Sequence, residues 1–233
     1  MAGRMTDDRY VHAWPLRLDP VWRRLPDDER RADVDAFCAA ARRAEGLLIQ
    51  HAYSTIGLRA EGDLLLWRMA DDLEALEATA ADQLAAGMGR WLTPASSMIG
   101  LTRPSQYVKR PTAQEQSLFS GQRSRYLVVY PFTKSVAWYL APPEERQAVM
   151  KGHMRVGHRY PQVRQLLAYS FGLDDQEFIV AYETDDLVAF QDLVRELRET
   201  ESRRSTVRDT PIVTGIHRPL GDILAALDGR AVA

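Results

Sequence analysis

Apolar and polar positions alternate through Tyr10–Leu18 (YVHAWPLRL), the period of a half-buried β-strand, and the pattern stops at Asp19-Pro20. From Asp27 the period changes. Val34, Phe37, Cys38 and Ala41 recur at three and four residues through DDERRADVDAFCAAARRA, which predicts a helix that Gly46 ends. LLIQHAYSTIGL and DLLLWRM flank RAEG and predict a hairpin. Asp71 suits the N-cap of a second helix, DLEALEATAADQLAAGM, and SSMIGLTR closes the half as a strand. The order is β-α-β-β-α-β.

The same order returns in the second half. RYLVVYPF reads as a strand, followed by a helix from about Ser135 to Gly157, strands VRQLLAYSFGL and EFIVAYET, the helix DDLVAFQDLVRELRETE, and a closing strand TPIVTGIHR. The wording repeats too: AYS at Ala52 recurs at Ala168, 116 residues later, each time followed by GL, an apolar strand and a helix-opening DDL. A split β-α-β unit of this kind forms an antiparallel sheet with helices on one face. The predicted fold class is therefore α+β, with tandem ferredoxin-like βαββαβ repeats that can close into a dimeric α+β barrel within one chain. The expected domains are 8–108 and 125–228, joined by a polar linker over 109–124.

Composition narrows the setting. The chain is 45% apolar and 27% charged, as expected of a folded globular protein. A net charge of −2 gives no long-range attraction to nucleic acid or to an anionic membrane. One cysteine, Cys38, allows no intrachain disulfide. The opening residues lack the apolar core of a signal peptide, and no apolar run has bilayer-spanning length, so a cytoplasmic protein is expected.

Candidate chemistry lies in the second half. Val149, His153, Val156 and Tyr160 form one apolar helical stripe, whereas Lys151, Arg155 and His158 form a basic one. His153 is thus expected to point at the sheet and His158 at water. Counting back 15 residues from each AYS pairs His153 with Phe37, so the second copy carries an imidazole where the first carries an apolar ring. A buried imidazole needs partners at both nitrogens, and a core histidine remains the ordinary alternative to a ligand. Tyr130 and Lys134 end a strand, with Trp138 just beyond. Glu201 ends the last helix, where a carboxylate is poorly placed against the helix dipole.

Taken together, GLTRPSQY, YPFTKSVAWYLAPPEER, GHMRVGHRYP, YSFGLDDQEFIVAYETDDL, LRETE and VRDTPIVTG resemble the chlorite dismutase-like haem protein family over nearly the whole chain. The resemblance implies a doubled ferredoxin-like fold assembled into a ring, usually a homopentamer. It makes His153 the proximal iron ligand and Glu201, or in another register Ser202, the acceptor of its second ring N–H. In the same way Trp138 would pack against the macrocycle. Two positions separate the branches. Chlorite dismutases carry a distal arginine where this chain has Gln165; strand alternation sends the neighbouring Arg164 to the opposite face. Coproheme decarboxylases carry a tyrosine and a lysine that match Tyr130 and Lys134.

The implied reaction is peroxide-dependent decarboxylation of two propionates of iron-coproporphyrin III (coproheme) to vinyl groups, giving haem b. Hydrogen peroxide would bind beside Gln165. Tyr130, as a radical, would take hydrogen from a propionate β-carbon, while Lys134 would hold that carboxylate. Arg103 and Arg110 are candidates, on charge alone, for the other propionates. Two other readings stay open: a chlorite dismutase or peroxidase-like haem enzyme, which GLDDQEF and GIHRP also resemble, and a haem-free interaction protein on the same fold.

Overall fold

A computed structural model of the chain describes residues 8–103, 105, 107 and 122–230. Arg110 and most of the expected linker lie outside these residues. The chain divides into two compact units, one comprising the residues up to Thr102 with those from Gly215 onward, the other Arg103–Thr214.

In chain order the first unit holds β1 (Tyr10–Leu18), α1 (Asp27–Arg43), β2 (Ile49–Ser54), β3 (Leu64–Ala70), α2 (Leu73–Ala85), β4 (Leu92–Pro94) and β5 (Met98–Thr102). The second holds β6 (Tyr126–Lys134), α3 (Val136–Leu140), α4 (Pro143–Gly157), β7 (Arg164–Tyr169), β8 (Phe178–Thr184), α5 (Leu187–Arg198) and β9 (Thr206–Arg208). Strand β10 (Val213–His217) crosses the division, and α6 (Leu220–Leu227) follows it. This is an α+β fold of antiparallel strands and covering helices.

The first sheet runs β2-β3-β1-β5 and the second β7-β8-β6-β9. The repeat seen in the sequence is thus a repeat of sheet order, β2-β3-β1 matching β7-β8-β6. In the first unit Trp14, Leu16, Leu18, Leu64 and Leu66 pack against Trp22, Val34 and Phe37 in a hydrophobic core. Each such side chain contributes about 1.5–3 kcal/mol by leaving water. The Trp22 indole N–H is satisfied by Asp33 at 2.9 Å. The last residues join this core: Ile216 and His217 pair with Ser54 and Tyr53, and Ile223, Leu224 and Leu227 of α6 are fully buried in it. That is why the segment after Gly215, placed with the second half by the 125–228 reading, packs with the first.

Two local expectations shift. The N-cap of α2 is Asp72, not Asp71; its carboxylate accepts from the Ala75 N–H at 2.7 Å. The single helix expected over Ser135–Gly157 is two, because Pro142-Pro143 removes backbone donors and fixes φ at the break.

Candidate functional site

Strand period two sorts the second sheet into faces. Cross-strand register aligns Tyr130 with Val180, Phe132 with Phe178, and Val128 with Tyr182. On the other side of β8, Gln165 lies opposite Tyr182, Leu167 opposite Val180 and Tyr169 opposite Phe178. Val180 and Tyr182 pack with Val156 and Tyr160 from α4 and its end, and with Phe190, Leu193 and Leu197 from α5. This is the helix-covered face, and it carries both Tyr130 and Gln165. The opposite face carries Leu127, Val129, Ile179, Ala181 and Glu183, all fully buried.

Arg164 belongs to that opposite face. Its guanidinium donates to Glu183 at 2.9 Å and to Ser124 at 2.8 Å, and Arg123 lies 3.5 Å from the same carboxylate. A buried carboxylate with two cations ties β7 to β8 in this register, since a one-residue slip would bring Arg164 to the helix side and strand Glu183.

His153 lies on α4. Its Nδ1 is enclosed and meets no hydrogen-bond partner among the described residues. Burial, then the charge of Lys134, lowers its pKa from 6.5 to about 4, so the ring is neutral near pH 7. His158, at the end of the same helix, is exposed as its stripe predicts.

Lys134 is 7% exposed and all three of its ammonium donors are used. They reach the Ser202 carbonyl and hydroxyl, each at 2.9 Å, and the Ser205 hydroxyl at 3.0 Å. The ammonium also lies 4.6 Å from the centre of the buried Trp138 ring. Burial, with repulsion from Arg203, lowers its pKa to about 8. Lys134 therefore braces the 3-10 turn Glu201–Ser205 and does not project freely beside Tyr130. Glu201 does not reach His153. It is exposed and paired with Arg204 at 2.9 Å, while the next residue, Ser202, points inward at 5% exposure. Arg103 lies exposed just beyond β5.

The Tyr130 phenol is raised well above its ordinary pKa by burial and then by Tyr182, whose ring centre is 6.3 Å away. Beyond these two, Tyr169, Phe171 and Phe178 pack edge to face at 4.9–5.4 Å. Leu167 remains 41% exposed and Phe171 48% exposed. On this helix-covered face, exposure is confined to the β7 side, where Leu167 and Phe171 lie by the aromatic cluster. Among the described residues of the first unit, the places of Tyr130 and His153 are taken by Trp14 and Phe37, 3% and 0% exposed, beside a fully buried Trp22.

The donor set suits iron held in a macrocycle. Among the described residues no group of three or more His, Cys, Asp or Glu could hold a metal ion, so an iron at His153 would take its other donors from elsewhere, as a porphyrin supplies them. A neutral imidazole is the ligating form, and the aromatic wall fits a flat apolar ring.

The chlorite dismutase family model matches residues 32–218. The chain belongs to the chlorite dismutase family. Coproheme decarboxylase of Mycolicibacterium smegmatis is 35% identical over 204 residues, covering 85% of this chain and 87% of that one. Chlorite dismutase of Ideonella dechloratans is 26% identical over 219 residues, covering 91% and 77%. A mutant chlorite dismutase from Candidatus Nitrospira defluvii superposes with a TM-score of 0.87 at 28% identity, covering 96% of this chain and 98% of that one. Among the described residues no helix is long and apolar enough to cross a membrane.

Within this family member, the sequence pattern missed Ser202 and Ser205 as the partners of Lys134, and Tyr182 as the neighbour of Tyr130. For Tyr182 a signal was present: EFIVAYET aligns it with Gln165 by strand alternation once the hairpin is closed. Tyr107, whose buried hydroxyl meets no partner among the described residues and whose ring lies 6.3 Å from Trp138, had no such signal.

Proposed function

We propose that this protein is a coproheme decarboxylase, converting two propionates of iron-coproporphyrin III to vinyl groups at the expense of hydrogen peroxide. The observation that carries the reading is that Tyr130 and Gln165 lie on the same helix-side face, while Arg164 is held on the other face by Glu183. A neutral amide offers a donor and an acceptor but no fixed cation, which disfavours retention of an anionic oxyhalide. The 35% identity to a coproheme decarboxylase points the same way.

His153 would hold the iron through a neutral imidazole, and Trp138 would flank the macrocycle. Bound iron-porphyrin, with peroxide, supplies the oxidising power. The chain's own part is to present one phenol. Burial keeps Tyr130 protonated, so it reacts by giving up and regaining a hydrogen atom, and not as a phenolate. As a phenoxyl it takes a hydrogen atom from the propionate β-carbon; loss of one further electron releases carbon dioxide and leaves the vinyl group. Per propionic acid, one peroxide becomes two waters. Lys134 would hold the His153 side of the pocket through Ser202 and Ser205, and could reach a propionate only by leaving those bonds. Arg103 and Arg110 are the candidate propionate partners, and a cytoplasmic ring of identical subunits belongs to the same reading.

The test is carbon dioxide release from ferric coproporphyrin on peroxide addition. Wild type should release two equivalents per porphyrin; Tyr130→Phe should bind the porphyrin and release none. A chlorite dismutase is the second reading, favoured by the matches to proteins of that name at 26% and 28% identity.

A further inference from the structure

Tyr182 is a buried phenol that the reaction as written does not use. It sits on β8 between Gln165 on β7 and Val128 on β6, one residue pair from Tyr130 and on the same face. Its ring is 5% exposed, held 5.3 Å from Phe190 on one side and 6.3 Å from Tyr130 on the other, the two tyrosine rings inclined by 32°. The two phenols are diagonal neighbours on one sheet face, close enough that Tyr182 raises the pKa of Tyr130. The first half again provides a contrast. There the matching sheet positions hold Trp14 and Arg68, stacked at 5.1 Å, and no hydroxyl pair is possible. Like His153, the tyrosine pair belongs to the second copy alone.

We propose that Tyr182 is a positioning residue for Tyr130, hydrogen-bonded to its hydroxyl and fixing the direction in which that oxygen faces the substrate. This rests on the decarboxylase reading for its catalytic consequence, but the bond itself does not. The chemistry gives the pair a direction. Between two phenols either can donate. Once Tyr130 has given up its electron and proton it can only accept, so Tyr182 becomes the donor to the phenoxyl oxygen, and Tyr182 itself is neither oxidised nor deprotonated. A bond of this kind, worth roughly 0.5–1.5 kcal/mol, corresponds to about 2–10-fold in rate.

Two measurements separate the bond from the reaction. In the porphyrin-free protein with 13Cζ-labelled tyrosine, Tyr182→Phe should shift the Tyr130 Cζ resonance, and Tyr130→Phe should shift that of Tyr182. Should Tyr182→Phe fail to fold, the second variant reads the same bond from its other end. Unshifted resonances would overturn the proposal whatever the enzyme does. In the coproheme-loaded protein, Tyr182→Phe should lower kcat about 2–10-fold with KM for peroxide and porphyrin affinity unchanged. An unchanged kcat in a wild type that does decarboxylate would overturn the positioning role. A wild type that releases no carbon dioxide would instead remove the decarboxylase reading and leave the resonance test standing.

Discussion

His153 should make the porphyrin-free protein sensitive to mild acid. Its folded pKa is about 4 against 6.5 for the ordinary group, depressed first by burial and then by Lys134. The unfolded chain therefore binds the proton more readily than the folded one across pH 4–6.5, and stability is lost as pH falls through that window. A shift from 6.5 to about 4 corresponds to an upper limit of about 3 kcal/mol at pH 4. Solvent reaching the half-buried ring reduces this to about 1–3 kcal/mol. Lys134 is protonated in both states throughout the window and adds no slope of its own. The variant is His153→Phe, which gives α4 the ring that Phe37 gives α1. Urea unfolding of wild type and variant at pH 7, 5.5 and 4.5 yields a double difference in which the four other histidines and the carboxylates cancel. Stability of the variant should fall less than that of wild type, with a gap of about 1–3 kcal/mol opening between pH 6.5 and 4. Parallel pH profiles would refute the enclosed, neutral imidazole on which iron ligation depends.

Other expectations follow from the same contacts. Lys134 has a folded pKa near 8, below its ordinary 10.5, so stability should rise as pH climbs through 8–10.5, and Lys134→Met should abolish that rise in thermal melts. Glu183→Ala should destabilise the protein by about 3–5 kcal/mol in urea titrations, because it leaves Arg164 and Arg123 without their shared carboxylate. Gln165→Arg should leave porphyrin binding intact in Soret titrations and slow carbon dioxide release, since a fixed cation would replace a neutral amide on the peroxide side.

The parts of the fold that could be read from the sequence are those fixed by local periodicity. β1 has the bounds its alternation predicts because Asp19-Pro20 ends it covalently, whatever the rest of the chain does. The faces of Gln165 and Arg164, and the opposite fates of His153 and His158, follow from strand and helix phase alone. The failures are set by irregular turns and by long-range packing. α5 stops at Arg198, and a tight 3-10 turn then rotates Ser202 inward and Glu201 out, a difference of one residue that no periodicity encodes. Lys134 looked free at a strand end, but its partners lie 68 and 71 residues away. The packing of α6 in the first unit depends on contacts with residues some 200 positions earlier. Strand alternation places Tyr182 opposite Gln165, but its hydroxyl gains meaning only beside Tyr130, which the third strand of the sheet brings alongside.

The central claim is tested most directly by the mass of the porphyrin after reaction. Purified protein loaded with ferric coproporphyrin III should, on addition of hydrogen peroxide, yield a product lighter by two carbon dioxide units and four hydrogens, and Tyr130→Phe should leave the porphyrin mass unchanged. Unaltered porphyrin in wild type, with oxygen evolved when chlorite replaces peroxide, would contradict the account.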